Sequence, residues 1–275
     1  MIEQVEATRG AAPSIDVTRG PHLDLRVEAA AAALALDPAA LDDRERAAAI
    51  GTWLGRMVNE HISARVFAAL IPQMMAAEVP AARIAEVAAM IGEELRHGVQ
   101  CAAVVHALGG EAIAPLPRLP AVPDHADAAP LEALLRNVLS IACLSETVAV
   151  ALIGAERDSA GPPAMQATLT TILADEVGHA RFGWRLLDEL APRLTPDLRR
   201  RLGDYLVAAF RHLRDHELAH LPPHPAPSAR AESNGVCDGN EARALFFATI
   251  DTVIVPGLEH HGIPAAHAWA TAQAG

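Results

Sequence analysis

The stretch 84–108, IAEVAAMIGEELRHGVQCAAVVHAL, decides the fold. Ile84, Val87, Ile91, Glu94, Gly98, Cys101, Val105 and Leu108 follow one another at intervals of three and four, the mark of one helix face turned to a core. Glu94 stands in that stripe where an apolar residue belongs, and His97, three residues on, shares its face. Working outward, a second stretch repeats the pattern as Met165, Leu169, Ile172, Glu176, His179, Gly183, Leu186 and Leu190. The same intrusion occurs at Glu60, within Trp53, Met57, Ala64, Phe67, Ile71 and Met74, and at Glu146, within Leu135, Leu139, Ala142, Ala149 and Ile153. Four amphipathic helices thus each carry one glutamate near the middle of an apolar stripe.

Composition agrees with helices. Of the 275 residues 51% are apolar but only 3% aromatic, and Ala and Leu dominate over β-branched types, which predicts an all-α fold. Helices are expected at about 41–77, 80–108, 130–158, 162–190 and 196–221. Acids in LDDRER open the first, Pro80 at the first helical position opens the second, and Gly109-Gly110 closes it. Pro72 is placed to kink the end of the first helix. The proline-rich stretch 111–129 reads as an extended crossover. The division expected is an N-terminal arm and short helix (1–40, the helix at 27–36), a helical bundle (41–221), and a linker with C-terminal helices at 241–255 and 264–272 packed on the bundle (222–275).

Charge and composition remove several function classes. All 22 basic residues are Arg, so there is no lysine for a Schiff base, a pyridoxal-phosphate anchor or a Walker phosphate loop. A net charge of -12 repels a phosphate backbone, so nucleic acid is not an expected partner. Cys101, Cys143 and Cys237 are odd in number and form no C-x-x-C pair, which argues against a disulfide framework or a rubredoxin site and suits a reducing interior. The start MIEQVEATRG lacks an apolar signal region, and no stretch approaches 18 uncharged apolar residues. The expectation is a cytoplasmic chain without a membrane partner.

Glutamates buried as lone ions cost several kcal/mol each, so a cation should meet them, and no lysine is present to do so. Four carboxylates and two imidazoles suit two adjacent ions, iron or manganese, better than a single zinc. The order Glu60, Glu94-x-x-His97, Glu146, Glu176-x-x-His179 on successive helices resembles the ferritin-like di-iron or di-manganese carboxylate proteins. The resemblance covers about residues 41–190 and places that family's long connection at the proline-rich crossover. It implies a four-helix bundle in which Glu60 and Glu146 are terminal ligands, Glu94 and Glu176 bridge, and His97 and His179 bind one ion each. It also implies that Asp175 orients His97 and Glu93 orients His179, each acid serving the histidine of the other helix.

Glu146, 28 residues, then Asp175-Glu176-x-x-His179 is similar to the signature of the oxygen-activating members, including hydroxylases and arylamine N-oxygenases. The first half departs from it, with a longer gap and Glu93 in place of Asp. Ile172 stands where the arylamine N-oxygenases carry an additional histidine. Cys101 stands where ribonucleotide reductase small subunits carry their radical tyrosine, and the single tyrosine is Tyr205. Cysteine there is similar to the bacterial multicomponent monooxygenases, and it reads equally well as core filler, as does Cys143. The resemblance implies two Fe ions (Mn being the other candidate), O2 as co-substrate, a small organic substrate to be hydroxylated, N-oxygenated or desaturated, and an electron donor such as a reductase or ferredoxin. It leaves the oligomeric state open. The other readings are an iron-storage, peroxide-removing or manganese-catalase-like member, and a non-catalytic structural bundle. His212, His216 and His220, every fourth residue, and Glu259-His260-His261 read as exposed faces outside the site.

Overall fold

The computed structural model describes residues 21–221, 223 and 226–274, and most of the expected N-terminal arm lies outside them. The fold is all-α. Its elements are β1 (His22–Asp24), α1 (Arg26–Ala31), α2 (Asp43–Ala76), α3 (Ala81–Ala107), β2 (Ile113–Pro115), α4 (Pro130–Ser159), α5 (Pro163–Leu190), α6 (Pro196–His220), α7 (Ala229–Ser233), α8 (residues 239–260) and α9 (Ala265–Gln273).

Local chemistry sets the helix ends. Asp42 caps α2 by accepting from the backbone N–H of Arg44 and Glu45, while Glu45 accepts from the N–H of Asp42 at 3.1 Å, a reciprocal capping box. α3 ends in a Schellman motif: Gly110 N–H donates to Val105 O and Gly109 N–H to His106 O, both at 2.9 Å, with Gly109 at φ +83°. Pro80 is the cap residue of α3 rather than its first helical residue, and Pro72 sits inside α2 without ending it. Pro130 and Pro196 occupy first helical positions, where no N–H is needed.

α2 packs along α3, α5 lies against both α3 and the second half of α4, and the first half of α4 returns to α2. These four helices enclose two apolar clusters. One holds Trp53, Met57, Cys101, Leu169 and Ile172; the other holds Phe67, Leu139, Ala142, Phe182 and Leu186, and is completed by α6, α8 and α9 through Leu206, Phe210, Ile250 and Trp269. The acidic positions fall between the two clusters in sequence, Glu60 between Met57 and Phe67, Glu176 between Ile172 and Phe182. α4 and α5 approach closely where a Cβ on Gly183 would lie 2.6 Å from the Cβ of Ala142, so only glycine fits there.

Four features differ from the sequence expectation. The helix expected at 27–36 is the shorter α1, followed by a 3₁₀ turn at Pro38–Ala40. β1 and β2 pair antiparallel, with Leu23 opposite Ala114, so part of the crossover is tied to the chain before α1. Both α4 and α8 contain a π-helical segment, Leu139–Ser145 and Ile250–Ile254, and α8 runs on to His260, so Glu259 and His260 lie in its last turn. Finally, α4 is by length and composition apolar enough to cross a membrane, with half of its apolar window buried in the fold. Glu146 divides its sequence into two shorter uncharged runs, 137–145 and 147–155.

Candidate metal centre

The six side chains named from the two Glu-x-x-His motifs and the two lone glutamates come together in the middle of the four helices. They form two overlapping groups in which donor atoms lie within 4.8 Å of one another: Glu60, Glu94, His97 and Glu176, and Glu94, Glu146, Glu176 and His179. Glu94 and Glu176 belong to both. All six are buried, and Glu94, His97 and His179 are at most 1% exposed. Such groups could hold metal ions.

Each histidine turns Nδ1 toward the carboxylates and Nε2 outward. His97 Nδ1 lies 3.3 Å from Glu176 Oε1, 3.6 Å from Glu60 Oε2 and 3.9 Å from Glu94 Oε2. His179 Nδ1 lies 3.0 Å from Glu94 Oε1, 3.2 Å from Glu176 Oε2 and 3.9 Å from Glu146 Oε2. Outside, His97 Nε2 meets Asp175 Oδ2 at 2.9 Å and His179 Nε2 meets Glu93 Oε2 at 2.9 Å. α3 and α5 therefore exchange acids, each supporting the other's histidine. An ionised carboxylate only accepts, so at Asp175 the histidine Nε2–H donates. Arg96 adds a 2.8 Å ion pair to the same Asp175 oxygen. The sequence analysis passed over Arg96, whose signal was its place between Glu94 and His97. The ring of Phe67 meets His179 edge to face at 5.3 Å and closes that side with hydrocarbon.

The donor set fits cations rather than a protein-only network. Both carboxylate oxygens of Glu94 and Nδ1 of His97 are buried without a hydrogen-bond partner. Native cores leave few such atoms, and each costs about 1–3 kcal/mol or more. Four carboxylates against two divalent ions and two neutral imidazoles sum to zero charge, whereas without ions the same acids must take up protons.

Titration reflects that conflict. Burial pushes Glu94 up to about 8, only partly opposed by His179, and burial together with Glu176 drives Glu146 well above the carboxylate range. Burial works against charging His97, but Glu176 and Glu60 outweigh it and lift the imidazole to about 11; for His179, Glu176 and Glu94 do the same, to about 10. Burial would raise Glu176, yet His179 and His97 hold it below its ordinary value. Asp175 is likewise lowered, His97 and Arg96 outweighing its burial.

A pH prediction follows for protein stripped of metal. Glu94, His97 and His179 all have raised values, so their stabilising contributions are complete at low pH. Glu94's is lost between 4.5 and about 8, and those of the histidines between 6.5 and about 10–11. Glu176 acts oppositely, losing its contribution only as pH falls below 4.5. Thermal unfolding of chelator-treated protein should therefore show a midpoint that falls from about pH 6 to about pH 9, while metal-loaded protein changes less. A midpoint that rises over that interval would contradict the charge assignment.

Cys101 is fully buried one turn beyond His97, and burial with the nearby Glu60 charge holds its thiol well above the ordinary value. Cys143 is buried and its thiol is also raised by burial. Both are poor nucleophiles. Ile172 is buried core, and Tyr205 on α6 hydrogen-bonds Ser140, away from the six donors. His212, His216 and His220 are exposed on α6, as are Glu259 and His260 on α8; none belongs to the two donor groups. A cavity of about 250 Å³ lined by Leu152, Glu156, Cys237 and Leu245 shares no residue with the centre.

Comparison with protein-family models, with curated proteins and with solved structures gives no match to this chain.

Proposed function

We propose that the chain is a ferritin-like di-iron oxidoreductase that activates O2 to oxidise a small organic substrate. One observation carries the reading: two buried four-donor groups share Glu94 and Glu176, with Glu94 and His97 left holding unpaired polar atoms. A pair of redox-active ions bound there supplies the electrons that reduce O2. Insertion of one oxygen atom into a substrate sends the other to water; of the four electrons O2 takes up, the substrate gives two and the ions would give two, with two protons, so an external donor such as a reductase or ferredoxin that restores the ions is part of the proposal.

The chain's own groups have definite tasks. Glu60, Glu94, Glu146 and Glu176 hold negative charge where cations are needed, and Glu94 and Glu176 are placed to serve two ions at once. His97 and His179 present Nδ1 inward, with Nε2 fixed by Asp175 and Glu93. Ala64, Phe67 and Ala142 are buried and, with the partly buried Ala149 and Val150, limit water near the acids. Asp175, bonded to exposed Arg96, links His97 to the surface, a path by which protons enter.

Metal analysis of aerobically purified protein should find about two iron ions per chain. Chemically reduced protein should then consume O2 in proportion to its paired sites and gather no mineral core from excess ferrous iron. Hundreds of irons per particle on a sizing column would favour storage instead. Manganese with rapid peroxide breakdown would favour a catalase, and a chain purified without metal that takes up none would leave a structural bundle.

A further inference from the structure

The histidine stripe of α6 lies outside the buried centre and has no part in the proposed reaction. His212, His216 and His220 are one turn apart and all exposed. The ring centres of His216 and His220 are 4.4 Å apart. Two imidazoles binding one ion in adjacent positions place their ring centres about 4.5–5.5 Å apart, given metal–nitrogen distances of about 2.0–2.1 Å. The pair thus stands close to chelating separation.

Its protons are arranged for the same purpose. His220 Nδ1 lies 2.8 Å from the backbone carbonyl of His216. A carbonyl only accepts, so Nδ1 carries the proton and Nε2 keeps the lone pair. Donation of one ring N–H to a backbone carbonyl is the usual way a metal-binding histidine is oriented. His212 stacks on His216 with ring centres 6.3 Å apart, too far in this arrangement to complete a three-donor group, so it has to move to join an ion held by the pair. The neighbouring carboxylate of Asp215 is paired with Arg214 at 2.9 Å, while that of Glu217 lies close enough to His220 to feel its charge and adds an oxygen donor beside the imidazoles.

We propose that His216 and His220, with His212 as a third donor, form a second metal site that takes a single imidazole-preferring divalent ion of the copper, nickel and zinc group. Donor chemistry separates it from the buried centre, whose carboxylates suit iron or manganese. The ion adds positive charge in the last turns of α6, the end of a helix dipole that favours cations and where Arg243 already donates to the carbonyls of Leu218 and Leu221. The inference does not depend on what the buried centre does.

Zinc titration of the protein as purified, read by competition with a coloured zinc indicator and by metal analysis, tests it. The parent should bind one zinc per chain beyond its buried metal, with a dissociation constant of about 1–10 μM. His216→Ala with His220→Ala should weaken that binding at least about 30-fold, and His212→Ala about 3- to 10-fold, with iron content and helicity unchanged. Alanine is the stronger helix former, so these exposed substitutions spare the fold. Absence of an extra zinc at about 100 μM, or zinc held equally well by the double variant, overturns the site.

Discussion

Glu94→Ala is expected to remove both ions of the proposed centre at once. Metal content should fall from about two per chain to well below one, and O2 uptake by reduced protein by at least about 100-fold, because Glu94 belongs to both donor groups. Glu60→Ala is the informative contrast. It dismantles only the group around His97 and leaves Glu94, Glu146, Glu176 and His179 intact, so about one ion should remain. The chain should still fold: Glu94 without metal is a buried carboxylate with no hydrogen-bond partner, and deleting it removes a penalty while opening a small cavity. Two ions retained by Glu94→Ala, measured by metal analysis on protein of unchanged helicity, would show that Glu94 is not shared.

Asp175→Ala is expected to reduce metal affinity or O2 reactivity about 10- to 100-fold at unchanged helical content, the usual cost of losing the acid behind a metal-binding histidine. The cause is specific. Asp175 accepts from His97 Nε2 at 2.9 Å and from Arg96 at 2.8 Å, so its loss frees the imidazole to turn and strands a guanidinium beside it. Asp175→Asn keeps an acceptor but not the charge, and should recover part of the effect. Because Glu93 serves the other histidine, combining Asp175→Ala with Glu93→Ala should cost more than either alone. Parental affinity and O2 uptake in Asp175→Ala would reduce the contact to an ordinary ion pair.

The helices and the assembly of the six donors were legible for one reason. An acid in an apolar stripe of period 3.6 has no reason to be there unless the core needs it, and the eye can find four such positions without knowing the fold. What was not legible depends on partners far away in sequence. β1 and β2 are three residues each, too short to show alternation, and β2 ends in Pro115. Glu132 reads as a first-turn acid of α4, favourable at any helix start, yet it is buried and held by Arg136 and by Arg201 of α6. The π segments leave no mark in composition, since Leu139–Ser145 is made of the same residue types as the turns around it.

That segment makes α4 two rods of different rotational phase welded end to end. A single residue inserted into an ordinary helix turns everything downstream by about 100°. Before the segment, α4 answers to α2 and α6; after it, to α5 and α8, with Glu146 as its first residue. The angular setting of Glu146 is therefore fixed by chain length across 139–145 as well as by the packing of Leu139, Ala142, Cys143 and Leu144. The count of residues between Leu139 and Glu146 is itself part of the site.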